Sequence, residues 1–187
     1  MKKLWALVLS VLLIILMIPA VTVSATDRVE IPEGAETVDI DGAAFTVIRT
    51  KDEFLAMNNV AGKFILANDI DLGGHTADTL IKLPKGNIFD GNGYSIYNYS
   101  LRGTADLSTF GINNGELTTI RNINIGKPDS YIDIKSETNG KSIGGVLSYS
   151  NSIFALENIT VYANINSTGA NVGGIAGNIK GNGRIIN

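Results

Sequence analysis

The chain has no cysteine and a single histidine, His75, among its 187 residues. Without cysteine there is no disulfide, no thiolate metal centre and no lipid attached to a leading cysteine. One histidine without cysteine cannot build a His-Cys metal site. The HExxH and GxSxG signatures of zinc peptidases and serine hydrolases are also missing. Stability must come from packing and hydrogen bonding, and no cofactor is expected. His75 follows Gly73-Gly74 and reads as a solvated loop histidine. Beyond residue 62 there is no helical periodicity, no cell-wall sorting motif and no second long hydrophobic run.

The first such run defines the amino end. Lys2 and Lys3 precede an uncharged stretch over residues 4–21, Pro19 interrupts it, and Val23-Ser24-Ala25 supplies small side chains. Basic start, apolar middle and small-residue exit are the marks of a signal peptide, expected over residues 1–25 and cleaved after Ala25. The expected location is therefore secreted or cell-surface. The other reading is an uncleaved anchor, because the stretch approaches the ~20 apolar residues that span a bilayer; the membrane would then be met only through the leader. The whole chain carries 15 basic and 18 acidic residues, net −3; without Lys2 and Lys3 the balance is 13 against 18, net −5. An acidic balance argues against nucleic acid and anionic membranes as partners.

Residues 26–62 read as a lead-in and cap. Residues 26–41 are polar, with Pro32 and Gly34, and are expected to be extended and loosely held. Residues 43–48 (AAFTVI) have strand composition. Thr50 is placed to cap a short helix over residues 51–58, with Glu53 as the capping-box partner and Phe54, Leu55 and Met57 following. Gly62 ends the segment, and residues 63–72 (KFILANDIDL) return to extended structure.

Residues 63–187 are dominated by repetition. Ile96-Tyr97-Asn98-Tyr99-Ser100-Leu101 aligns with Ile120-Arg121-Asn122-Ile123-Asn124-Ile125 and with Leu156-Glu157-Asn158-Ile159-Thr160-Val161, and Ile185-Ile186-Asn187 starts a further copy. The shared asparagine falls at Asn98, Asn122, Asn158 and Asn187, at spacings of 24, 36 and 29 residues. Independently, Ile143-Gly144-Gly145-Val146 recurs 29 residues later as Val172-Gly173-Gly174-Ile175, and Thr109-Phe110-Gly111 is a looser relative of Val146-Leu147-Ser148. Each unit carries too few apolar side chains to bury a face alone, so the units must stack. The expected fold is all-β: a right-handed parallel β-helix, or β-solenoid, with the short helix in its N-terminal cap and coils about 4.8 Å apart. The four asparagines are expected to form one inward-pointing amide ladder. The repeat glycines Gly144, Gly145, Gly173, Gly174 and Gly177 are expected at corners, where positive φ or lack of room excludes a side chain. Since Asn187 falls at a ladder position with half a rung still to come, the chain is expected to be the front of a longer protein.

The segments around Ile143-Gly144-Gly145-Val146-Leu147 and Val172-Gly173-Gly174-Ile175-Ala176-Gly177 resemble the GLUG motif of bacterial surface and secreted proteins. The upstream residues 64–72 (FILANDIDL) and 88–96 (IFDGNGYSI) are similar to the module that precedes such repeats. Ser148 stands where the motif has glycine, and Tyr94 where the upstream run has histidine. The resemblance covers residues 54–187 and implies a pectin-lyase-like β-helix of adhesin-like type.

Candidate chemistry is sparse. Polysaccharide lyases and hydrolases on β-helices need paired acids, or acids holding Ca²⁺ beside a base. Asp69, Asp71 and Asp90 are the candidates, with Arg102 and Arg121 as nearby cations, although Asp in such sequences also serves turns. Tyr97 is the candidate sugar platform, because it should face outward while Tyr99 faces inward. Sequons at Asn98, Asn158 and Asn166 are read as coincidental, two of them being ladder positions. The expected function is a non-enzymatic surface or secreted module that contacts a carbohydrate or a host or cell-surface protein. The alternative is a carbohydrate-active enzyme of the β-helix class.

Overall fold

The computed structural model describes residues 28–187 apart from 114, 137, 169 and 170. The leader expected over residues 1–25 lies outside them. The cap comprises β1 (Thr37–Ile40), β2 (Ala43–Ile48) and α1 (Lys51–Ala56). A first coil follows, with β3 (Lys63–Leu66), β4 (Ile70–Ala77) and β5 (Thr79–Leu83). The second holds β6 (Ile88–Asp90), β7 (Ser95–Gly103) and β8 (Ser108–Ile112). The third holds β9 (Thr118–Ile125), β10 (Ile132–Ser136), β11 (Ser142–Gly144) and β12 (Leu147–Ser150). The fourth holds β13 (Phe154–Val161), β14 (Ala163–Ser167), β15 (Asn171–Gly173) and β16 (Ala176–Ile179), after which β17 (Gly183–Ile186) starts another turn. The chain is a right-handed parallel β-helix of about four turns.

Register makes the core a set of apolar columns. Phe64, Phe89, Ile120, Leu156 and Ile185 lie one above another on successive coils. Ile70, Ile96, Ile125 and Val161 form a second column, and Ile81, Phe110, Leu147 and Ala176 another. Each fully buried member contributes roughly 1.5–3 kcal/mol of transfer free energy. Polar groups inside are paired: Tyr99 and Thr109 bond through their hydroxyls at 2.6 Å, and Thr109 donates onward to the Gly145 carbonyl at 2.6 Å. Ser148 is explained in the same way, because its buried hydroxyl accepts from Ser108 at 3.0 Å.

The cap differs from the loose lead-in expected over residues 26–41. β1 pairs antiparallel with β2 through Asp41 and Gly42, both at positive φ (52° and 77°). Asp-Gly at these dihedrals makes the tight hairpin turn whose twist matches that of the flanking strands. The Gly42 N–H also bonds the Asp39 carboxylate at 2.9 Å. The helix starts where the capping box puts it: the Thr50 hydroxyl accepts from the Glu53 N–H, and the Glu53 carboxylate accepts from the Thr50 N–H. It ends at Ala56, two residues short of the expected 58. Its Phe54 plugs the first turn of the core, edge-on to Phe89 and Phe110 at centroid distances of 6.0 and 6.5 Å.

The asparagine column needs correcting. Asn122 and Asn158 are register neighbours, and the Asn158 amide donates to the Asn122 side-chain oxygen at 3.0 Å. Asn187 instead brackets Ile159, accepting its N–H at 2.7 Å and donating to its carbonyl at 3.2 Å. Asn98 belongs to a different column, because Ile96 stacks under Ile125 rather than under Ile120, and its amide bonds Asp71 at 2.7 Å. None of the four points inward. Asn98, Asn122 and Asn158 all have positive φ (59°, 52° and 52°), which bends the strand and turns the side chain outward. The sequon positions Asn98, Asn158 and Asn166 are exposed accordingly.

The repeat glycines are held by space, not by dihedral, since none of the five has positive φ. A Cβ on Gly144 would lie 2.0 Å from the Leu147 carbonyl oxygen, and one on Gly173 2.0 Å from that of Ala176, so the first glycine of each pair serves a turn within its own coil. The second serves the stack: a Cβ on Gly145 would lie 2.2 Å from the Gly174 carbonyl oxygen of the next coil. Gly177 is wedged likewise, 2.7 Å from the Ile143 and Ser148 carbonyl oxygens, whereas Gly174 meets nothing within 4 Å.

Candidate functional site

The turn Asp90-Gly91-Asn92-Gly93 is a structural knot. The Asp90 carboxylate is buried and receives the Arg121 guanidinium at 2.7 Å, the Asn92 N–H at 2.8 Å and the Asn122 amide at 3.1 Å. Asn92, at φ 51°, turns its side chain onto Val29: its oxygen accepts the Val29 N–H at 2.7 Å, and its amide donates to the Val29 carbonyl at 3.0 Å. One side chain thus satisfies both backbone groups of Val29, as a neighbouring strand would. Beside it, the Arg28 guanidinium sits 4.1 Å from the Tyr94 ring centroid and donates to the Gly93 carbonyl. Tyr94 therefore helps hold this strap.

The second carboxylate group lies at the start of β4. Asp69 forms an ion pair with Lys127 at 2.7 Å and accepts the Ser95 N–H at 2.8 Å. Asp71 accepts the Gly73 N–H at 2.8 Å and the Asn98 amide. These two bonds, Gly73 first, hold Asp71 below the ordinary carboxylate value of 3.8. The hydrogen bond it donates to Asp69 holds the Lys127 ammonium above its ordinary value. Asp69, Asp71 and Asp90 are thus each held by protein donors. Among the described residues, no group of three or more His, Cys, Asp or Glu could hold a metal ion.

Tyr97 is half-buried, and the Lys127 ammonium covers its ring at 3.8 Å from the centroid. A sugar stacking there would have to displace a cation already bound to Asp69. Tyr99 is buried, as its alternation requires. His75 is not in a loop: it lies within β4, opposite Tyr99, after a bulge at Gly73 and Gly74, whose φ values are 59° and 76°. Arg121 is the partner of Asp90, and Arg102 lies elsewhere, on the outward side of β7.

The sequence reading did not single out that outward side. In β10 the residues Asp133 and Lys135 are exposed between buried Ile132, Ile134 and Ser136, and in β14 Asn164 and Asn166 are exposed likewise. Asp133 registers with Ser100 below and Asn164 above, and Lys135 with Arg102 below and Asn166 above. Just before these strands stand Tyr131 and Tyr162, edge to face at 6.0 Å. Period-2 alternation over residues 131–135 carried the signal for this face.

Two larger hollows lie at the cap. One of about 410 Å³ runs beside α1 among Val47, Met57, Val60 and Phe64. Another of about 420 Å³ lies where the strap crosses Ala67 and Tyr94. Comparison with family models, curated proteins and solved structures returns no match to this chain.

Proposed function

We propose that the chain is an exported, non-enzymatic repeat module of the GLUG type, a β-helical scaffold that presents a side face for contact with a glycan or a protein. The observation that carries the reading is the state of its carboxylates. Asp90 is paired with Arg121, Asp69 is bound by Lys127, and Asp71 is held ionised by donated hydrogen bonds. An acid catalyst needs a raised pKa, and a lysine base a lowered one. Asp71 and Lys127 are shifted the opposite way. Regular outward columns of exposed side chains on a rigid stack are what a contact module offers. The leader-like residues 1–25 support export, and the VGG pairs with the FDGNG turn support the GLUG reading.

The test has two arms. Residues 26–187 are incubated with polygalacturonate and with neutral glucans, and unsaturated uronate and reducing ends are measured. No release is expected; release abolished by Asp69→Asn or Asp71→Asn would make the chain a carbohydrate-active enzyme. In the second arm the full chain is expressed in a bacterial host and the fractions are probed. The expected product lies outside the cytoplasm and starts at Thr26, and retention in the cytoplasm would remove the export claim.

A further inference from the structure

Asparagine is a thermolabile residue, and most so before glycine, whose missing Cβ leaves the next backbone nitrogen open to the asparagine side chain. The chain has four such dipeptides: Asn92-Gly93, Asn114-Gly115, Asn139-Gly140 and Asn182-Gly183. Asn114 lies outside the described residues. The fold gives the other three very different surroundings.

Asn92-Gly93 is locked on both sides of the bond. The Gly93 N–H donates to the Asn122 carbonyl at 2.7 Å, and the Asn92 amide is engaged by the Val29 and Leu66 carbonyls at 3.0 and 3.3 Å. At the second dipeptide the Gly183 N–H donates to the Gly181 carbonyl at 3.1 Å, and the Asn182 carbonyl accepts the Phe154 N–H at 3.4 Å. Gly183 also lies so close on the Phe154 ring that a Cβ would not fit. Asn139-Gly140 is held by neither device. Both residues are exposed in the turn between β10 and β11, Gly140 has φ 78°, and a Cβ on it would meet nothing within 4 Å. Among the described residues no acceptor holds the Gly140 N–H and no partner holds the Asn139 side chain.

We propose that Asn139 is a site of spontaneous modification, losing ammonia through a succinimide, and that the fold protects the same dipeptide at Asn92 and Asn182. The Gly140 backbone nitrogen, once deprotonated, attacks Cγ of Asn139. The bond from Cγ to the side-chain nitrogen breaks, and that nitrogen takes up a proton and leaves as ammonia. Water then opens the ring. Opening at Cγ leaves aspartate at 139. Opening at the main-chain carbonyl leaves isoaspartate, whose main chain runs through Cβ and Cγ and is one atom longer. One water is consumed and one ammonia released, with no oxidant, cofactor or enzyme. Either product adds a negative charge to a chain of net −3. The longer backbone falls just before two anchors of this corner: the Lys141 carbonyl, which accepts the Asn171 N–H at 3.4 Å, and the Ser142 N–H, which donates to Asp106 at 2.9 Å. A locked dipeptide reacts only from an opened state, so the bonds on Gly93 and Gly183 slow it by the cost of opening.

The test is peptide mapping of the full chain after incubation at neutral and mildly alkaline pH. Trypsin puts each dipeptide on its own fragment: residues 86–102, 103–121, 136–141 and 181–184. In the folded protein 136–141 should gain the mass of deamidation roughly tenfold or more faster than 86–102 and 181–184. It should do so faster at the higher pH, and yield both aspartate and isoaspartate. In concentrated urea the three fragments should convert at similar rates. Gly140→Ala, which sets a methyl beside the attacking nitrogen, should slow conversion manyfold, and Asn139→Gln, which would need a six-membered ring, should nearly abolish it. Both positions are exposed, and unchanged melting curves establish that the variants fold. Equal rates for the three fragments in the folded protein overturn the proposal. So does a preference for 136–141 that persists undiminished in urea, because the selectivity would then belong to the local sequence. Conversion to aspartate alone, without isoaspartate, overturns the succinimide.

Discussion

The side chain of Asn158 donates to that of Asn122 at 3.0 Å across two coils, and both backbones sit at φ 52°. Each asparagine therefore does two jobs: it tolerates the left-handed bend and links the bend to its neighbour. Asn158→Ala should lose both, destabilising the fold by about 1–2 kcal/mol. Asn158→Gly keeps the bend and loses only the bond, a cost of about 0.5–1 kcal/mol. Urea denaturation of the two variants checks the order, and equal losses would mean that the bend carries no strain.

The two glycine pairs make opposite predictions at equivalent positions. Gly145→Ala puts a methyl 2.2 Å from the Gly174 carbonyl oxygen and should destabilise by ~2–3 kcal/mol. Gly174→Ala meets nothing within 4 Å and should leave the melting temperature of this chain nearly unchanged. Comparable losses in thermal melts would show that the second glycine is not a stacking requirement.

Asn92→Ala removes both bonds to Val29 and should cost about 1–3 kcal/mol. The more direct readout is proteolysis, since residues 28–31 carry a tryptic site at Arg28. Cleavage after Arg28 should be faster in the variant, while β-sheet circular dichroism stays intact below the melting transition.

The capping box gives a pH dependence with a definite sign. Glu53 is held below its ordinary value of 4.5, first by the Arg49 N–H and also by the Thr50 N–H and hydroxyl. A carboxylate whose folded pKa is depressed stabilises the fold fully above its unfolded value and loses that contribution as pH falls through the folded one. The melting temperature should therefore be level above pH 4.5 and decline below it. Glu53→Gln should melt lower near neutral pH and decline less on acidification; parallel curves for the two proteins would refute this.

Much of this architecture was legible because stacking repeats local chemistry. The offset of 29 residues that matches Ile143 with Val172 in sequence is the register the strands adopt, and Leu156 lies over Ile120 as the motif alignment has it. Asn98 marks the limit of that legibility. Its hexapeptide matches that of Asn122 because both describe the same left-handed bend, and local conformation is written locally. Which column a bend joins depends on the arc length of the whole coil, a sum over loops that no short pattern contains. Lys127 was illegible for the same reason, since only the coil path brings it to Asp69 and Tyr97. The Asp41-Gly42 hairpin was within reach, because Asp-Gly between apolar alternations is itself a turn signal.

The clasp between Asn92 and Val29 joins residues 63 positions apart. A ribosome releases Val29 long before Asn92 exists, so these two bonds can form only after the turn of the second coil has been made. Val29 and Ile31 pack against Phe45, Val47 and Ile65 of the cap and first coil, but both backbone bonds of Val29 to a side chain wait for Asn92. One amide of a later coil thus buckles the strap over residues 28–31 to the flank of the helix.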